Sequence, residues 1–170
     1  MKLFLDTEFA DFADADLISI GLVSDDDRMF YGERNDFRRC ACSDFVRQVV
    51  LPQLGREPMD VHSRAGLRDA LRRWLMQFEA NAPVLICADF GGDWTLFVDL
   101  LDSDIPTWIS FQNIWREIDD LVLENFFFES GLQDHHALND AIANRVAYRP
   151  RVSKVMIIDT LTPFEKITVL

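Results

Sequence analysis

Lys2-Leu3-Phe4-Leu5-Asp6-Thr7-Glu8-Phe9 reads as a strand that begins apolar and ends acidic. Residues i and i+2 of a strand project from the same face, so Asp6 and Glu8 point the same way. Folding alone gives no reason for two acids at the end of an apolar strand. Like charges side by side repel unless a cation lies between them, and oxygen ligands of this kind suit Mg²⁺ or Mn²⁺. A lone D-x-E would read better as a solvated strand end. The metal reading gains from a second segment far downstream, His135-His136-Ala137-Leu138-Asn139-Asp140.

Outward from that strand, the hydropathy pattern predicts an α/β chain. Two further strands, 17–24 and 29–33, are joined by the acidic turn Asp25-Asp26-Asp27, as in a hairpin. Residues 43–51 read as a helix with Ser43 as its cap and Pro52 as its stop. A longer helix over 64–80 carries the apolar stripe Leu67, Leu71, Trp74, Leu75 and Phe78, with Arg64, Arg68 and Arg72 in a row off it. Val84-Leu85-Ile86-Cys87-Ala88 is a continuous apolar run of the kind that forms a buried strand. Gly91-Gly92 breaks it, and a helix is expected over 93–101. Residues 107–111 form a further strand candidate, and 115–128 a strongly apolar helix ended by Gly131. The last helix covers 137–148, with Pro150 just past its end, and 155–158 reads equally as an edge strand or a flap. No repeat, low-complexity segment or linker-like stretch interrupts the pattern, which reads as one domain over 1–170.

Composition limits the classes of function. At 170 residues and 49% hydrophobic content the chain can bury one sizeable core. No apolar run approaches the roughly 18 residues of a membrane span, and the start leads directly into a strand rather than a signal peptide. Cys40, Cys42 and Cys87 are an odd number, and Cys40-Ala41-Cys42 lacks the second ligand pair of a zinc site. They read as buried or inert thiols in a reducing, cytoplasmic setting. The net charge of −12 argues against a protein that coats nucleic acid through its overall field. It leaves room for an enzyme that holds a few nucleotides at one metal-loaded site. Asp6, Glu8, Asp11, Asp14 and Asp16 crowd the amino-terminal end. Arg64, Arg68, Arg72 and Arg73 read as the solvated face of their helix. Arg145, Arg149, Arg151 and Lys154 follow the last acidic motif with no acid between Ala141 and Ile158, and are expected to hold a nucleic-acid strand.

Four carboxylates can meet in such a chain. Asp6 and Glu8 come from the first strand, and Asp93 opens a helix, where a carboxylate suits the helix dipole. Asp140 lies in the first turn or so of the last helix. A set of this kind could hold two divalent ions roughly 3.5–4 Å apart, one activating a water and the other steadying the leaving oxygen of a phosphodiester. His135 precedes Asp140 by five residues, which on a regular helix would set them about 140° apart. It is therefore expected at or before the helix start, reaching inward as a neutral general base.

In these residues the chain resembles the DEDDh 3′→5′ exonucleases: D-x-E in the first strand, an Asp midway, and H-x-A-L-x-D near the carboxyl end. It is most similar to the short bacterial exoribonucleases of the RNase AS type, which are specific for poly(A), through D-T-E-F, the L-I-S-I-G second strand and compact length. The resemblance spans nearly the whole chain. It implies a ribonuclease H-like α/β fold with a mixed central sheet flanked by helices, an order that the opening three-strand meander matches. It implies hydrolysis of single-stranded RNA from a free 3′ end to nucleoside 5′-monophosphates, with two Mg²⁺ or Mn²⁺ ions and often as a homodimer. Carried over by residue, Asp6, Glu8, Asp93 and Asp140 match the metal ligands and His135 the base.

The chain also departs from that pattern. Phe9-Ala10-Asp11 stands where many relatives continue Thr-Gly, so recognition of the terminal nucleotide does not carry over. Asp89 and Gly92 stand where relatives often have Asn and an aromatic residue. Asp89 is a rival to Asp93, which takes precedence because a helix start fits it. His136 is a rival to His135, but the motif registers on His135, and His136 is expected to face solvent. Phe9, Phe12, Phe90 and Trp94 lie near the motifs and invite base stacking. In a chain with 14 Phe most are core, and Phe9, directly after Glu8, is the one assigned to substrate. Phe126-Phe127-Phe128 is expected in the core or at a subunit interface. Two other functions fit some of these features: a DNA exonuclease with the same residues, and a non-catalytic acidic binding module. All five site residues are present, which argues against the latter.

Overall fold

β1 (Lys2–Phe9) lies inside a six-stranded mixed sheet. The computed structural model describes residues 1–150; Arg151, Lys154 and the 155–158 segment lie outside the described residues. β2 (Leu17–Ser24) and β3 (Met29–Arg34) extend the sheet antiparallel to one side of β1, and the two-residue β4 (Val61–His62) closes that edge parallel to β3. β5 (Val84–Ala88) and β6 (Ile109–Asn113) add parallel strands on the other side, giving the order β4-β3-β2-β1-β5-β6. The protein is α/β, a mixed sheet flanked by helices.

The two faces of β1 explain why its sequence is apolar on both. Leu3 and Leu5 face α1 (Arg64–Leu75) and α2 (Gly91–Leu100), in a core with Ile20, Leu22, Leu67, Leu71, Ile86 and Phe97. Phe4 faces the other way, with Val23, Cys87, Ile114 and Ala141 of α4 (Ala137–Ala147). α3 (Asp120–Ser130) packs outside α4. Asp6 and Glu8 continue the Phe4 row, so the acidic pair falls where α4 begins.

Gly21 sets how closely α4 can approach. It pairs with Asp6 across the β1–β2 ladder. A Cβ placed on it would lie 2.4 Å from Ala137 C, Ala137 O and Leu138 N, all backbone atoms of the first turn of α4. Backbone cannot yield as a side-chain tip can, so Gly21→Ala should push that turn, and Asp140 with it, off the sheet. Overpacking of this kind costs about 1–3 kcal/mol. Urea denaturation should show the loss, and an unchanged midpoint would mean that the contact is not what seats α4.

Several elements differ from the sequence-based expectations for identifiable reasons. Pro52 has no N–H to continue an α-helical ladder, and residues 46–53 run as a π-helical turn, Val46–Val50, and then a 3₁₀ turn, Leu51–Gln53. Ser43 still caps the segment, accepting from Val46 N at 3.2 Å. The 64–80 stripe holds, but the chain tightens to 3₁₀ over Met76–Asn81. The expected helix over 115–128 is a 3₁₀ turn at Trp115–Glu117 followed by α3, whose cap, Asp119, accepts from Val122 N at 3.3 Å. Gly131 ends α3 in the left-handed region, φ 67°. Gly91 and Gly92 open α2 rather than preceding it. The strand expected over 107–111 lies at Ile109–Asn113, and β4 is too short to show a hydropathy period.

The arginine row of α1 is not simply solvated. Arg64 and Arg68 both reach Asp102, at 2.9 and 2.7 Å, and Arg72 reaches Asp104 at 3.0 Å. These exposed or partly exposed pairs tie α1 to the segment just past α2, and pairs of this kind add little to stability. Cys42 and Cys87 are buried, Cys40 is exposed, and all three are free thiols. Among the described residues no helix is long and apolar enough to cross a membrane.

Candidate metal centre

Three segments bring their carboxylates to one place. From β1, Asp6 and Glu8 stand on the α4 side, opposite Gly21 and Ser19. Just past Glu8 the ladder skips Ile18, and Phe9 pairs with Leu17; such a bulge bends the strand end and re-aims the side chains beyond it. From α4, Asp140 sits in the first turn, where its Oδ2 accepts from His136 N at 3.0 Å. From the end of β5 and the start of α2 come Asp89 and Asp93. Thr7 Oγ1 donates to Asp93 Oδ1 at 2.7 Å, and Asn144 Nδ2 donates to Asp89 Oδ1 at 2.9 Å.

The carboxylates form two groups that share Asp6. Ligand oxygens of Asp6, Glu8 and Asp140 lie within 4.8 Å of one another, and so do those of Asp6, Asp89 and Asp93. Asp93 is 2% exposed, and its Oδ2 is buried with no hydrogen-bond partner. An orphaned buried carboxylate oxygen beside other carboxylates is unfavourable unless a cation joins it. The cluster can therefore bind a metal ion. Asp89 and Asp93, rivals by sequence, both belong to it.

The electrostatics carry the same message. Burial first, and neighbouring carboxylates with it, push the Glu8 carboxyl up to about 8 and those of Asp93 and Asp140 up to about 7. The Thr7 hydroxyl works against this at Asp93 and the His136 N–H at Asp140. Asp6 is raised well above its ordinary value, first by burial and then by Asp93, Asp140, Glu8 and Asp89. These groups line a cavity of about 740 Å³, whose described walls include eight acids and no lysine or arginine. An anionic ligand could enter it only with cations.

His135 lines the same cavity from the loop before α4, as the sequence suggests, with φ 58° and its side chain 45% exposed. Its Nε2 lies 3.6 Å from Asp134 Oδ2, and its ring meets Phe45 edge-on. The buried Gln53 fixes this loop: its Nε2 donates to the carbonyls of Asp134 at 2.9 Å and His135 at 3.1 Å. Nothing local in the sequence marks Gln53, because its partners lie some eighty positions away. The expectation for His136 needs correction. It does not face solvent; it is half-buried, stacked on Tyr31 with ring centroids 4.4 Å apart, and its Nδ1 is buried. Burial lowers its pKa.

Phe9 reaches the cavity with two rings that the sequence ranked below it. Phe9 and Phe90 stack at 6.1 Å, and Phe12 meets both edge-on at 5.1 and 6.0 Å. Phe12 is 83% exposed and Phe90 45%. Gly92 makes room for this cluster, since a Cβ there would strike the Phe90 ring. Trp94 instead packs on Phe97 and Phe111 beside the core. Phe126, Phe127 and Phe128 are not in the buried core; Phe127 lines the cavity, and Phe128 is 89% exposed.

Of the basic residues expected to hold a strand, the two that are described, Arg145 and Arg149, make their hydrogen bonds elsewhere. Arg145 bonds Ser24 O and Asp27 at the far end of β2, and Arg149 turns back to the carbonyls of Val146 and Tyr148. Neither Arg145 nor Arg149 lines the cavity. No protein-family model matches the chain, and no curated protein matches it.

Proposed function

We propose that this protein is a metal-dependent 3′→5′ exoribonuclease with a ribonuclease H-like fold, acting on single-stranded RNA. The observation that carries the reading is the sharing of Asp6 by two groups of three carboxylates within 4.8 Å. Two Mg²⁺ or Mn²⁺ ions suit such oxygen ligands, and would supply Lewis acidity to a scissile phosphate. Asp6, Glu8, Asp93 and Asp140 would hold them. His135, which lines the same cavity as these carboxylates, would accept a proton from the attacking water. The half-buried Phe9 with the exposed Phe12 and Phe90 would stack a terminal base, which every base permits through its π-face. The meander-first strand order and the meeting of strand and helix acids support the fold assignment. The preference for 3′ ends, RNA and adenine comes from the resemblance to the RNase AS type. A homodimer belongs to the same reading, supported by the exposed Leu121 and Phe128 on α3.

Linear oligo(A) with a free 3′-hydroxyl, the same sequence circularised, and the matching DNA test the proposal. In Mg²⁺ or Mn²⁺ the linear RNA should be shortened stepwise to 5′-AMP, the DNA more slowly, and the circle not at all. Equal cutting of linear and circular RNA would overturn the exonuclease reading. A marked preference for DNA would replace RNA as the substrate.

A further inference from the structure

We propose that Asp89 is a fifth cation ligand, and that with Asp6 and Asp93 it forms a subsite that binds one divalent ion before substrate and more tightly than the Asp6–Glu8–Asp140 group. The proposal rests on the metal reading above and deepens it. Asp89 adds a fifth negative charge beside the four carboxylates already assigned to the metals.

Three features turn that charge toward a cation. The ligand oxygens of Asp6, Asp89 and Asp93 lie within 4.8 Å of one another. Asp93 Oδ1 is taken by Thr7, whereas its Oδ2, buried in a residue only 2% exposed, has no partner. Asn144 Nδ2 donates to Asp89 Oδ1 at 2.9 Å, which fixes the carboxylate and leaves Oδ2 to the cavity. The backbone is fixed as well, since Asp89 O accepts from Asn113 Nδ2 at 3.2 Å. The subsite is thus built from a strand end, a helix start and an amide on α4, all tied by hydrogen bonds before any ion arrives. It is also the deeper of the two, because Asp93 is buried while Glu8 and Asp140 keep partial exposure. Ligand charge and rigidity are the quantities that tune affinity for hard divalent ions.

Calorimetric titration of the metal-free protein with Mn²⁺ alone, without nucleic acid, tests the proposal. The wild type should bind two ions with unequal affinity. Asp89→Asn keeps the acceptor that Asn144 uses and should fold normally, yet weaken the tighter site at least about tenfold. Asn144→Ala should weaken the same site by about tenfold or more, as loss of an orienting partner does. Glu8→Gln should weaken only the looser site. Wild-type affinities in Asp89→Asn, or loss of the tighter site in Glu8→Gln instead, would overturn the assignment. A wild type that binds no Mn²⁺ would overturn the subsite and the metal centre together. A protein that binds Mn²⁺ in this pattern but cleaves no RNA sustains the subsite and overturns the nuclease reading alone.

Discussion

Asp6→Asn is expected to remove hydrolysis of oligo(A) almost completely while making the metal-free protein more stable. Asp6 is common to both carboxylate groups, so one neutral amide weakens both. The rate should fall by at least about 10³-fold, the equivalent of the several kcal/mol that metal charge supplies to a phosphoryl transition state. Stability moves the other way because Asp6 is raised by burial and then by four neighbouring carboxylates. Burial and like charge both penalise the charged form of this carboxyl. Asp6→Asn removes that penalty and should raise the melting temperature of the metal-free protein.

The same groups set the pH dependence of the metal-free protein. Folded, Asp93 and Asp140 hold their protons to about pH 7 and Glu8 to about pH 8; unfolded, such groups release them near pH 4. Between these limits the native state binds more protons than the unfolded one, so stability falls as pH rises. In EDTA the melting temperature should therefore drop from pH 5 to pH 8, and Mn²⁺ should restore it at the upper end. A melting temperature that climbs over this interval in EDTA would mean that the carboxylates are not held together by the fold.

The second large effect is expected at His135. His135→Asn should lower kcat by on the order of 10²–10⁴, the usual contribution of a general base, with Mn²⁺ binding unchanged. His135 opens to the cavity, whereas His136 is stacked on Tyr31. His136→Asn should therefore lower stability by about 1 kcal/mol, the value of a lost ring pair, and leave kcat within severalfold of wild type. Single-turnover rates on 3′-labelled RNA separate the two variants. A larger rate loss in His136→Asn would assign the base to the wrong histidine.

The sequence was most informative where periodicity and chemistry coincided. β1 and β2 run over the expected residues because an apolar core on each face leaves little freedom in register, and α4 differs from its expected span by one residue. Asp6, Glu8, Asp93 and Asp140 were legible from strand alternation and helix starts, and the structure brings them together. Other features depend on tertiary contact that no local pattern encodes. Asp89 looked like an alternative to Asp93 because spacing along the chain cannot show that a strand end and the following helix turn both face Asp6. The stacking of His136 required β3, more than a hundred residues earlier, to present Tyr31. Arg145 and Arg149 were credited with substrate contact from nearness in sequence, yet in the fold Arg145 is tied to Ser24 and Asp27 and Arg149 to the carbonyls of Val146 and Tyr148. Gly21 was visible only as part of a motif; its reason is the backbone of α4 lying against it.

Anomalous diffraction from crystals soaked in Mn²⁺ tests the central claim most directly. Two peaks are predicted, both bounded by Asp6, one also against Asp89 and Asp93 and the other against Glu8 and Asp140, with both lost in Asp6→Asn. No peak within ligand distance of Asp6, at Mn²⁺ concentrations that support activity, would contradict the account.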